Sequence, residues 1–374
     1  MKNKILLGVL AICAMSVALV GCGNDAPEAD NVENVEETSQ TETVEEEAQD
    51  DIEEEETIDE IVSEDESEDQ MDIETAISLM YSDSQTAFTY FEEKVAEGDE
   101  DATFLAGYTL DWASSSRDCD YDKASEYYEM VMDANPYAKI SLARLYMNGD
   151  GVDIDEELAN TYFAEVAGSL DEIYDESWVA NGVACTLIGY MYYEGYGVEQ
   201  DYAKALEWFE KGANSGDAYS MQYLGIIYDI GFDEEADYAK AFEWFSKSAD
   251  LGLSSSMEWL GWMYMDGEGV EQSYAKAREW FEKGAEFGDA ESNFMLGRMY
   301  YSGTGTDVDY IKACEWFEKG ADLGNSWAML WLGYAYRDGC GVEQDDETAR
   351  EWFTKSADLG NSSAADCLAE MDGM

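Results

Sequence analysis

From residue 184 onward, apolar and small residues recur every 36 positions without drift. Gly189, Gly225, Gly261, Gly297 and Gly333 share one column, and Tyr192, Tyr228, Tyr264, Tyr300 and Tyr336 a second. Trp208, Trp244, Trp280, Trp316 and Trp352 form a third, each followed by Phe; Ala205, Ala241, Ala277, Ala313 and Ala349 form a fourth. A constant period of this length predicts a solenoid of stacked supersecondary units. Within a unit the spacing is helical. Helix A is predicted over 256–264, closing on Gly267-Glu268-Gly269, and helix B from Tyr274 to Ala285, closing on Gly288. Glycine at both ends suits left-handed caps. Glu279 stands four residues before Lys283, and the order recurs as Glu207/Lys211, Glu243/Lys247, Glu315/Lys319 and Glu351/Lys355. That order predicts helix-stabilising ion pairs, each adding a few tenths of a kcal/mol.

The period runs backwards in degraded form. Tyr90-Phe91 and Gly98 fit a helix B, while Gly107 and Ala143 stand in the helix A glycine column. Ten extra residues fall in the loop around 168–181, and Leu368-Ala369 fits a lone closing helix A. The predicted body, residues 73–374, is all-α: seven A–B units, a leading helix B and a closing helix.

The sequence Leu-Gly-x-x-Tyr, then Gly-x-Gly-Val, then Lys-Ala-x-x-Trp-Phe-x-Lys-x-Ala resembles the Sel1-like repeat, a relative of the tetratricopeptide repeat. The resemblance spans about residues 84–372, strongly in five units. It implies an α/α right-handed superhelix that scaffolds protein–protein contacts, with the A helices lining a concave wall. Three units depart from the pattern. Gly107 lacks the following Tyr, Gly231-Phe232-Asp233 lacks the second loop glycine, and Tyr127-Tyr128 replaces Trp-Phe. These units are expected to pack less regularly. The paired cysteines of the family's disulfide-rich branch are not matched.

On a helical wheel at about 100° per residue, Ser256, Leu260, Gly261 and Tyr264 define the packing face of helix A. Opposite lies a ridge that varies between units, with Tyr219 and Tyr223, Trp259 and Trp262, and Trp327, Trp331 and Tyr334 as its aromatic members. Large apolar residues gathered on one face suggest an interaction surface, and aromatic residues dominate binding hot spots. The competing reading is that they fill space between neighbouring A helices. Two other motifs read as structure. The Gly-x-Gly loops follow helices rather than strands, so they are helix caps and not phosphate cradles. Residues 148–155 are dense in acid but lack the glycine and glutamate placement of a calcium loop.

Composition changes the picture in three ways. The 374 residues include 86 Asp+Glu, 20 Lys+Arg and no His, for a net charge of −66. Absence of histidine removes Ser-His-Asp and Cys-His catalysis and His-ligated metals, and no cofactor or metal site is expected. The charge repels nucleic acid and favours a basic peptide or protein partner. Secondly, residues 23–72 hold 24 of the acids and no base; self-repulsion predicts a disordered tether over 22–72, spanning roughly 40 Å. Thirdly, Lys2 and Lys4 precede an uncharged apolar run, Ile5 to Val20, that ends in Leu19-Val20-Gly21-Cys22. That ending resembles the bacterial lipobox. It implies a signal peptide over 1–21 and acylation of the Cys22 thiol, which anchors the chain to a membrane outside the cytoplasm. Cys119, Cys185, Cys314, Cys340 and Cys367 have no metal spacing and read as buried thiols. The expected protein is a monomeric, lipid-anchored, non-enzymatic scaffold. The alternative is a carboxylate-dependent cell-wall glycan hydrolase or glycan-binding protein, because paired carboxylates are the catalytic constellation that remains without histidine.

Overall fold

A computed structural model of the chain describes residues 71–112, 119–232 and 235–373. The leader, Cys22 and residues 23–70 lie outside the described residues. Eighteen helices and no strands occur among those described. Helices α1 (Ile73–Leu79) and α2 (Ser84–Glu97) come first. Units 1 and 2 are α3 (Glu100–Asp111) with α4 (Tyr121–Val131), and α5 (Pro136–Asn148) with α6 (Glu156–Ala167). The short α7 (Leu170–Ile173) intervenes. Units 3 and 4 are α8 (Asn181–Glu194) with α9 (Tyr202–Asn214), and α10 (Ala218–Ile230) with α11 (Tyr238–Asp250). Units 5, 6 and 7 are α12 (Ser254–Asp266) with α13 (Tyr274–Glu286), α14 (Ala290–Ser302) with α15 (Tyr310–Asp322), and α16 (Ser326–Asp338) with α17 (Asp346–Asp358). Helix α18 (Ser362–Asp372) closes the array. The seven pairs, the leading helix B and the closing helix A agree with the periodicity. Helices α1 and α7 belong to no column of the repeat, and the periodicity does not predict them.

The glycine column exists because of the Phe that follows each Trp. A Cβ at Gly189 or Gly225 would lie 2.6 Å from the ring of Phe209 or Phe245, on helix B of the same unit. Those Phe rings are wholly buried, so the column lets two helices close on a ring with no gap. In unit 1, Tyr128 takes the place of Phe against Gly107. Its extra hydroxyl is accommodated by donation to Asp111 Oδ2 at 2.9 Å, and Asp111 in turn pairs with Arg144. The unit therefore packs on the common plan, with a buried polar link where its neighbours have none.

The second glycine of each Gly-x-Gly loop joins units. Gly269 has φ +72° and sits against the first turn of the preceding helix B, where a Cβ would lie 2.6 Å from the carbonyl carbon of Tyr238. Acid serves at the same end of helix B: Asp201, Asp237, Asp309 and Asp345 each accept a hydrogen bond from a first-turn backbone N–H. A carboxylate there complements the helix dipole.

The lysines depart from expectation. Of the five predicted ion pairs only Glu243–Lys247 is present among the described residues, at 2.7 Å. Instead every one of these lysines lies over the Trp three residues earlier. The ammonium nitrogens of Lys211, Lys247, Lys283, Lys319 and Lys355 are 3.6–4.0 Å from the ring centroids. A second series, Lys204, Lys240, Lys276 and Lys312, covers the helix A tyrosines Tyr192, Tyr228, Tyr264 and Tyr300. Tyr264 is thus half-buried at the edge of the packing face predicted for it, its ring edge-on to Phe242 at 5.6 Å. A half-dry ring face attracts an ammonium more than an exposed carboxylate does. Lys319→Ala is expected to cost about 0.5–1 kcal/mol, and Glu315→Gln less than about 0.3 kcal/mol, measured as urea midpoints. Equal losses would restore the ion-pair reading.

The ten-residue insertion folds back over units 1 to 3. Trp178 stacks on Tyr137 at 5.1 Å and reaches Phe104 at 5.8 Å, and Tyr137 donates its hydroxyl to the Ile173 carbonyl at 2.9 Å. Tyr174 meets Trp208 edge-on at 5.0 Å. This cover explains why Trp208 is buried while Trp244, Trp280, Trp316 and Trp352 are half-buried.

Candidate functional site

A helices of successive units touch one another, as α5 does α8, α8 does α10, and α14 does α16, while no two B helices make contact of comparable extent. The A helices therefore lie on the shorter, inner side of the array. The seven aromatic residues predicted to form the ridge stand on these helices, and all are half-buried.

They divide into four groups. Tyr223, Trp259 and Trp331 lie on the Phe rings of the preceding unit: Tyr223 on Phe209 at 4.8 Å and 7°, Trp259 on Phe245 at 5.2 Å and 4°, Trp331 on Phe317 at 5.7 Å. Each Phe is thus held between its own glycine and an aromatic of the next unit, and these three residues do fill space between units. Trp262 and Tyr334 instead meet Phe281 and Phe353 of their own units, at 6.0 and 5.4 Å and steep angles. Trp327 packs beside Leu330 at the border of the last two core clusters. Tyr219 forms the fourth. Its ring meets Trp112 at 4.8 Å and Tyr81 at 5.7 Å, and its hydroxyl donates to the Trp112 carbonyl at 2.7 Å. Burial pushes the phenols of Tyr219 and Tyr223 above their ordinary value. The wall is consequently covered by the chain's own first helices around unit 4, and Trp262, Trp327 and Tyr334 stand on it in units 5 to 7.

Carboxylates that the aromatic pattern did not reveal accompany this stretch. Glu258 on α12 accepts the indole N–H of Trp262 at 3.1 Å. Burial, and then the charges of Asp289 and Glu291, raise it well above the carboxylate range. Burial also raises Asp289 and Glu291, opposed by Ser292 and Asn325 respectively. Asp289 caps α14 through the Ser292 N–H at 2.6 Å, and Glu291 accepts the Asn325 amide at 2.8 Å. A signal was present in the sequence: Glu258 is the one charged residue in a column it shares with Thr186, Gln222, Phe294 and Leu330, the other four being buried. Each of the three carboxylates is committed to capping or to a neighbouring side chain, which is poor preparation for acid–base work on a glycosidic bond. No group of three or more His, Cys, Asp or Glu side chains is arranged to hold a metal among the described residues. In the 148–155 loop, Asp150 pairs with Arg144 at 3.3 Å and Asp155 caps α6, as an ordinary inter-helix loop would have it.

Cys185, Cys314 and Cys367 are buried free thiols and Cys119 is half-buried, whereas Cys340 is disulfide-bonded and not the thiol expected of it. Burial pushes Cys185 and Cys314 up to about 11, so both stay protonated and unreactive. No helix among the described residues is long and apolar enough to cross a membrane.

These features define an α/α solenoid with an inner wall of aromatic and acidic residues. The Sel1 repeat matches residues 136–165, 182–217, 218–253, 254–289, 290–325 and 328–361, and the chain belongs to that family. Among solved structures it is similar to a Sel1 repeat protein from Oxalobacter formigenes, with 30% identity over 64% of this chain and 94% of that one, and a TM-score of 0.50. It is also similar to a protective antigen of uropathogenic Escherichia coli strains, with 28% identity and a TM-score of 0.46. That likeness covers 80% of this chain, which spans 63% of the antigen's length. No curated protein matches the chain significantly. The Sel1 repeat fold commonly mediates protein–protein interaction, and scaffolds of this kind are typically non-enzymatic.

Proposed function

We propose that the chain is a lipid-anchored, extracytoplasmic scaffold whose inner wall, over units 5 to 7, captures a basic peptide or protein segment. The observation that carries this reading is the pairing of Trp262 with Glu258 on α12, next to Asp289 and Glu291. A cationic side chain placed there would find desolvated carboxylates to neutralise and an aromatic face to stack on. The lysines of the repeats lie over aromatic rings elsewhere, so they leave the acid of the wall to a partner. Trp327 and Tyr334 would extend the contact, whereas Tyr219, Tyr223, Trp259 and Trp331 serve the fold. The sequence around Cys22 supports the anchor, and the acidic segment after it supports a tether that raises local partner concentration.

Placing a photoreactive amino acid at Trp262 in intact cells is expected to trap a protein. Glu258→Lys should abolish trapping, and the same photoreactive group at Glu279 on helix B should trap nothing. Trapping that is equal at both positions, or release of sugar from cell-wall glycan by the purified protein, would overturn the reading. Cys22→Ser is expected to move the protein from the membrane to the soluble fraction.

A further inference from the structure

A solenoid unit ordinarily touches its sequence neighbours, yet residues 76–82 reach units 4 and 5. Tyr81 donates its hydroxyl to Asp217 Oδ2 at 2.5 Å, across 136 residues of sequence, and its ring meets Tyr219 edge-on. The other oxygen of Asp217 caps α10 through the Ser220 N–H at 2.7 Å. Gly252 lies under the backbone of Ser82, where a Cβ would stand 2.8 Å from its Cα. The corresponding glycines Gly216, Gly324 and Gly360 face open space.

The sequence is altered to match. The N-cap column of the A helices reads Asp217, Leu253, Asp289, Asn325 and Asn361, and every member except Leu253 accepts a first-turn N–H. Loss of such a cap costs about 1 kcal/mol. Leu253 is wholly buried and belongs to the same core as Ala76, Met80 and Tyr81, so apolar contact with the crossing segment offsets the missing cap. The fit is nonetheless incomplete. A cavity of about 290 Å³ remains where Ile77 and Ser78 face Val179, Val183 and Leu251. Helix α1 is seven residues long, too short to stand alone in water, so its order depends on this docking.

We propose that residues 73–82 form a displaceable latch seated in a socket made by Asp217, Tyr219, Gly252 and Leu253, and that the vacated socket accepts a partner helix of the same pattern. That pattern is apolar at the positions of Ile73, Ala76, Ile77 and Met80, with a tyrosine following. The latch stands independently of the reading of units 5 to 7, since its opening needs no partner.

Native-state hydrogen exchange on the full chain tests the opening. Amides of residues 76–82 should exchange through a local opening, about 100-fold or more faster than those of α13. Tyr81→Phe, which keeps the ring and removes the hydroxyl, should accelerate that exchange about tenfold further without moving the rate in α13. A labelled synthetic peptide of residues 71–83 should then bind the full-length Tyr81→Ala chain at least tenfold more tightly than the unaltered chain. Exchange of residues 76–82 only with global unfolding would overturn the latch. Local opening with equal or no peptide binding would overturn the exchange of partners.

Discussion

Gly269→Ala is expected to destabilise the body by about 3 kcal/mol or more, against about 1 kcal/mol for Gly324→Ala. Both glycines have positive φ, +72° and +85°, so each alanine carries the conformational cost of the left-handed region, about 1 kcal/mol. They differ in what the new methyl meets. At Gly324 nothing lies within 4 Å, whereas at Gly269 the methyl overlaps the backbone of Tyr238, which begins α11. Backbone cannot rotate aside as a flexible side chain can, and forced overpacking costs a further 1–3 kcal/mol. The interface between units 4 and 5 must then open, and interface energy is what holds a solenoid together. Urea unfolding of the two variants measures the difference. Equal midpoints would mean that the second loop glycine is only a cap and joins nothing.

A second large effect concerns pH: thermal stability is expected to rise by roughly 3–8 °C as pH falls from about 7.5 to 5, a change of about 2 kcal/mol for a body of this size. Burial raises Glu258, Asp289 and Glu291, and also Glu194, Asp266 and Glu268. Burial, reinforced by Glu268, lifts Asp229 to about 6. In each case the folded state binds its proton more tightly than the unfolded chain. The stability this contributes is complete below the unfolded value, about 4, and is lost as pH rises through the folded value. Opposite behaviour is confined to groups such as Glu92, lowered by the Lys123 hydrogen bond, and Asp237 and Asp345, lowered by helix-cap hydrogen bonds. Their stabilisation fails only below about pH 4. A maximum near pH 5 follows. Glu258→Gln should raise the melting temperature at pH 8 and flatten the slope between pH 5 and 8. A melting temperature that climbs steadily toward pH 8 would contradict the assignment.

The regularity of the fold was legible because one contact is repeated: a glycine on helix A meets a Phe on helix B. A fixed spacing between the two types is visible without coordinates, and it places both helices and both caps. Contacts made once leave no such trace. Helix α1 and its bridge to Asp217 join residues far apart, and only Leu253, a leucine in a column of caps, hinted at them. The site was legible in part. Wheel geometry put all seven aromatics on one ridge of helix A, and only the resemblance turned that ridge toward the concave wall; neither could separate Tyr223, Trp259 and Trp331, which seal the neighbouring Phe, from Trp262 and Tyr334. That distinction depends on ring orientation, which spacing does not carry. The lysines misled for a related reason, since Glu and Trp both lie within reach of each lysine and only burial of the ring decides between them.

The bridge from Tyr81 to Asp217 and Leu253 also bears on how such a protein can change length over generations. Units 6 and 7 repeat the same internal and neighbouring contacts, so a tandem duplication or loss of one copy there leaves every junction intact. A copy gained or lost between α2 and α10 would carry the tyrosine's acceptor one step along the spiral and leave Leu253 bare. Growth by recombination is thereby directed to the carboxyl-terminal half, and the amino-terminal half is held to a fixed number of turns.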